Sequence, residues 1–102
     1  MELKPGSRWK SAVCDTEIVI VKAPSVPAVL ECGGHALNPH TQARDPVASP
    51  SPEHLNGSQL GKRYVDQETG LEALCSKSGA GSLSIDGRPL TLKEAKKLPS
   101  SD

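Results

Sequence analysis

Four side chains in this sequence are suited to metal binding or redox chemistry: the thiols of Cys14, Cys32 and Cys75 and the imidazole of His35. Two residues separate Cys32 from His35, a spacing from which a sulfur and a ring nitrogen can reach one ion. Three thiolates and one imidazole form a donor set that zinc accepts in closed structural sites. Such a shell would tie the first half of the chain to the second through Cys75. Glu31 is a further oxygen donor, less suited to a soft-ligand shell. The same residues have a second reading. Free cysteine is among the most buried residue types and packs as a small apolar side chain, so Cys75, which alternates with Leu71 and Ala73, can belong to a core with no ion nearby.

Other chemistry finds less support. Asp15, Glu17 and Glu31 flank strand-like segments, where carboxylates are usually solvated, and spacing assembles no nucleophile, base and orienting group. Ser78-Gly-Ala-Gly81 has neither the Lys nor the Ser/Thr of a phosphate-cradling loop, and no helix pattern follows it. It reads as a turn. His40 and His54 lie in a polar stretch and are expected to be solvated. Trp9 and Tyr64, the only large aromatics, are expected to anchor small cores.

The elements that must position the thiols read as strands. Residues 8–13 form the first, ending at a Cys14-Asp-Thr turn. Residues 17–22 carry Ile18, Val19, Ile20 and Val21 in succession, and β-branched side chains favour an extended chain over a helix. Pro24 and Pro27 then interrupt the ladder by removing amide donors. A short strand over 28–31 leads into Cys32-Gly33-Gly34, a glycine turn beside a thiol. From 38 to 59 four prolines are spread among polar residues without apolar periodicity, which reads as a flexible linker. Strands resume over 62–66 and 71–76, joined through a bend at Gly70. Asp86-Gly87 is a two-residue hairpin signal after Leu83 and Ile85. Thr91 and Glu94 make a capping box for a short C-terminal helix over 92–97.

Composition bounds what these elements can build. Leu, Ile and Val supply only 21 of 102 residues, with one Trp, one Tyr and no Phe, close to the level below which chains stay unfolded. A chain this poor in apolar bulk often needs a metal, a disulfide or a partner subunit. Twelve basic and twelve acidic side chains cancel, and no basic patch interleaved with aromatics appears, so no nucleic-acid partner is expected. The first five residues lack the apolar core of a secretory signal, and the apolar run 18–21 is too short to cross a bilayer. A cytoplasmic location without membrane contact is expected. In that reducing setting three thiols are not expected to form a disulfide framework.

The segment Trp9-Lys10-Ser11-Ala12-Val13-Cys14, the strand over 17–22 and Glu31-Cys32-Gly33 together resemble the desulforedoxin-like module, also found at the front of desulfoferrodoxins. The likeness spans about residues 6–39. In that family two knuckles supply four thiolates to iron. The resemblance implies that Cys14 and Cys32 are ligands, while Ser11 and Glu31 stand where the family's other two thiols would be.

The combined expectation is an all-β protein. Residues 1–37 would form a desulforedoxin-like hairpin module, 38–59 a linker, and 60–102 a β meander with a short C-terminal helix. Its function would be that of a non-catalytic accessory or binding module, with zinc or iron as a structural cofactor held by Cys14, Cys32, His35 and Cys75. It would bind a protein partner or itself as a homodimer. An iron-thiolate electron-transfer or redox-sensing protein is the first alternative, and a small metal-dependent enzyme the second.

Overall fold

The computed structural model describes residues 2–42 and 50–93. Among the described residues ten short strands make two antiparallel sheets: β1 (Arg8–Lys10), β2 (Glu17–Lys22), β3 (Leu30–Cys32), β4 (His35–Ala36), β5 (Asn38–Pro39), β6 (Arg63–Val65), β7 (Glu72–Lys77), β8 (Leu83–Ile85), β9 (Arg88–Pro89) and β10 (Thr91–Leu92). The larger sheet runs β10-β6-β7-β2-β1-β5 and the smaller β4-β3-β8-β9.

The β-branched run is β2, at the centre of the larger sheet. Its alternation places Ile18 and Ile20 in the core, as the period of two in a strand dictates. β7 lies beside it, with Ile18 opposite Cys75 and Ile20 opposite Ala73. Leu71, Ala73 and Cys75 share one buried face. From the smaller sheet Leu30, Cys32, Leu83 and Ile85 meet them in a single apolar cluster, which also takes in Tyr64 and has Trp9 packed against it. Strands from both sides of residues 38–59 therefore pair in both sheets, β2 with β7 and β3 with β8, and share one core. Within that stretch β5 pairs with β1. The amide of Ser51 donates to the Gly33 carbonyl at 2.8 Å.

Two hairpin turns are built alike. Asp86 and Gly87 have φ of 47° and 83°, and Gly33 and Gly34 have 64° and 84°, the paired positive values that a two-residue turn matched to strand twist requires. The first is fastened to β3: the Val29 amide donates to Asp86 Oδ1 at 2.9 Å, and Glu31 Oε1 accepts from Gly87 N at 3.0 Å and Ser84 Oγ at 3.1 Å. The edge strands β5 and β9 end in Pro39 and Pro89, which offer no amide to a further strand.

The expected C-terminal helix is corrected. Thr91, its cap, and Leu92, its first residue, form β10 and pair with Val65 and Tyr64 of β6. The Thr91 hydroxyl donates to the Val65 carbonyl at 3.4 Å instead of capping a helix. Long-range pairing has overridden the local capping signal, and the remaining residues of that helix, 94–97, lie outside the described residues. The structure is mostly β, and among the described residues the helical segment is a single 3-10 turn, Pro52–His54. No helix among them is long and apolar enough to cross a membrane.

Candidate functional site: a buried thiol pair

Cys14 sits in the turn between β1 and β2, and Cys32 ends β3 in the other sheet. The fold brings their sulfurs to 3.7 Å, with Cys14 8% exposed and Cys32 fully buried. Ser11 organises the first turn. Its buried Oγ accepts from the amides of Val13 and Cys14, both at 3.0 Å, which uses its lone pairs and leaves its proton free to point at sulfur. Ser11 N also donates to the Thr16 carbonyl at 2.8 Å, closing the turn from the far side.

A row of hydroxyls backs the sulfurs. Cys14 Sγ donates to Thr16 Oγ1 at 3.3 Å, Thr16 donates to Ser58 Oγ at 3.2 Å, and Ser58 donates to the Gly81 carbonyl. A hydroxyl has one proton. When Cys14 loses its own, the Thr16 hydroxyl can turn and donate to sulfur, so the same group serves both ionisation states.

The strip 78–81 closes the site from above. A Cβ on Gly79 would clash with Thr16 Oγ1 and meet Cys14 Sγ at 3.1 Å, and one on Gly81 would meet Cys32 Sγ at 3.0 Å. Backbone thus lies directly on both sulfurs, an approach that only glycine permits. Ser58 and Gly79 exchange backbone hydrogen bonds of 2.9 and 3.3 Å, which hold the strip down.

These surroundings split the two thiols. Burial raises the Cys14 pKa, but hydrogen bonds from the side chains of Ser11 and Thr16 and from the backbone of Thr16 and Gly81 outweigh it, and the pKa falls to about 7. Burial first, and then the charge on Cys14, push Cys32 up to about 12. The first proton therefore leaves the pair near neutrality and the second stays. The result is one nucleophilic thiolate held against one protonated thiol, the arrangement that thiol-disulfide chemistry uses.

The other expected ligands are elsewhere. Cys75 is in the apolar core, its thiol donating to the Lys77 carbonyl at 3.2 Å, and burial pushes its pKa up. His35 is exposed on β4, and the Glu31 carboxylate is engaged by Ser84 and Gly87. Among the described residues no group of three or more His, Cys, Asp and Glu side chains is placed to hold a metal ion. The expected zinc or iron cofactor is corrected on that ground: two adjacent sulfurs do not close a tetrahedral shell.

Sequence reasoning missed Ser11 as a turn organiser, Thr16 and Ser58 as hydroxyl partners, and Gly79 and Gly81 as the cover. The Ser-x-x-Cys-x-Thr spacing carried a local signal, because serine and threonine flanking a turn bond to nearby amides. Ser58 carried none. No protein-family model, curated protein or solved structure matches this chain.

Proposed function

We propose that this protein is a non-catalytic, redox-sensing module whose Cys14 and Cys32 interconvert between a dithiol and a disulfide. The observation that carries the reading is the 3.7 Å approach of the two sulfurs. A disulfide needs about 2.05 Å, a distance that side-chain rotation and small shifts of the two turns can supply. Oxidation removes two electrons and two protons from the pair. Cys14 enters as the thiolate, and Cys32 gives up its proton as the sulfur-sulfur bond forms.

The likeness of residues 6–39 to the desulforedoxin-like module belongs to this proposal. Ser11 Oγ gathers the amides of Val13 and Cys14 at the position where the resemblance puts a thiol. In a reducing compartment such as the cytoplasm the dithiol is the resting form. The oxidised state would be read by a protein partner or a second copy of the chain.

The test is equilibration overnight in glutathione buffers of stepped ratio, followed by acid quench, alkylation and peptide mapping. The expected result is a single two-electron transition that links Cys14 to Cys32 and leaves Cys75 alkylated. A chain that forms no such link either in oxidising glutathione buffer or with hydrogen peroxide, or that links Cys75 instead, overturns the proposal.

A further inference from the structure

The route to Cys14 restricts what can oxidise it. A polar cavity of about 150 Å3 at the surface has Cys14 in its lining. Its walls are Lys10, Ser11, Asp15, Thr16, Glu17 and Lys77. Glu17 and Lys77 stand opposite each other in register at its side, their charged atoms 3.9 Å apart. Cys32 does not line it and is fully buried behind Cys14. The backbone of Gly79 and Gly81 lies against the two sulfurs.

We infer that the oxidant of the pair is a small hydroperoxide, admitted through this cavity to Cys14, and that bulky disulfides react with the pair slowly. The inference rests on the dithiol reading above. The cavity has room for several waters, so hydrogen peroxide fits. Exchange with a disulfide is a larger demand: the attacked sulfur and its leaving group must line up behind the thiolate, and each sulfur of glutathione disulfide carries a whole tripeptide.

The atoms balance in two steps. The Cys14 thiolate attacks one oxygen of hydrogen peroxide, a sulfur-oxygen bond forms, the oxygen-oxygen bond breaks, and the departing hydroxide takes a proton to leave as water. Cys32 sulfur then attacks the Cys14 sulfenic acid. The sulfur-sulfur bond forms, the sulfur-oxygen bond breaks, and hydroxide leaves with the Cys32 proton as a second water. The two sulfurs lose two electrons and the peroxide gains them.

The experiment compares rates of Cys14–Cys32 linkage in the reduced protein with equal concentrations of hydrogen peroxide, cumene hydroperoxide and glutathione disulfide, each also measured on the urea-unfolded chain. The ratio of the hydrogen peroxide rate to the glutathione disulfide rate is expected to be at least tenfold higher in the folded protein than in the unfolded one, with cumene hydroperoxide slowed as well. In Cys32→Ser, peroxide is expected to leave a sulfenic acid on Cys14 that dimedone traps. Equal ratios in folded and unfolded chains, or no peroxide reaction in a protein that does form the link in glutathione buffer, overturn the inference alone. Failure to form the link with any oxidant overturns the dithiol reading and this inference together.

Discussion

Cys14 and Cys75 lie in the same fold, both buried, and differ in the ionisation that their neighbours control. Cys14 is surrounded by Ser11, Thr16 and the backbone of Gly81, which draw its proton off near neutrality against the opposing effect of burial. Cys75, on β7 opposite Ile18, has apolar neighbours and a carbonyl to donate to, and burial holds its proton on. Burial disfavours either thiolate. What separates the two thiols is the supply of donors around sulfur, and the fold supplies them only where the β1–β2 turn meets the strip 78–81.

The sharpest way to break this contrast is to push the cover off the pair. Gly79→Val puts carbon where Thr16 Oγ1 and Thr16 N lie within 2.5 Å of a Cβ. It is expected to cost about 3 kcal/mol in chemical denaturation, the upper end for over-packing, and to return Cys14 reactivity toward that of an ordinary thiol. Cross-linking the pair should act in the opposite sense and by a similar amount. Closing the loop from residue 14 to residue 32 is expected to stabilise the folded chain by about 3 kcal/mol, seen as a higher urea midpoint that Cys32→Ser abolishes.

Thr16→Val removes one donor to the thiolate and keeps the shape. A hydrogen bond to a charged group is worth about 1.5 kcal/mol, so the half-ionisation point of Cys14 is expected to rise by about one pH unit, read from the pH dependence of alkylation. Cys75→Ala is the smallest change. It is expected to cost about 1 kcal/mol for the lost apolar volume and to leave the alkylation profile of Cys14 unaltered; a shift in that profile would show the two thiols to be coupled more closely than the separate surroundings imply.

Stability should also follow pH in a way peculiar to the pair. Cys14 ionises more readily folded than unfolded, so its contribution is full above the unfolded value near 9 and is lost as pH falls through about 7. Cys32 has its folded pKa raised to about 12, so above 9 the unfolded chain gains the charge that the folded one refuses, and stability falls. From these two thiols a maximum near pH 9 is expected, measurable by urea unfolding at stepped pH and absent in Cys14→Ser.

Much of this was legible in the residues. The β-branched run 18–21 named the central strand, and Asp86-Gly87 and Gly70 named the bends, because each is decided by local sterics. The meeting of Cys14 with Cys32 was expected only from the resemblance of residues 6–39 to the desulforedoxin-like module, which made both of them ligands of one ion. What escaped depends on pairing between distant strands. Thr91 looked like a cap until β6 claimed it, and Ser78-Gly-Ala-Gly81 looked like a free bend because nothing local says that two sulfurs lie beneath it. The ion shell failed for the same reason: Cys75 and His35 had suitable chemistry, but β7 turned one into the core and β4 left the other in solvent.

The central claim is that the fold divides two neighbouring thiols into a thiolate and a thiol. Cysteine Cβ chemical shifts, followed by NMR from pH 5 to 11 on the reduced protein, test it most directly. Cys14 is expected to titrate with a midpoint near 7 while Cys32 and Cys75 hold their thiol shifts well past the ordinary value of about 8.5. Three thiols titrating together near 8.5 would contradict it.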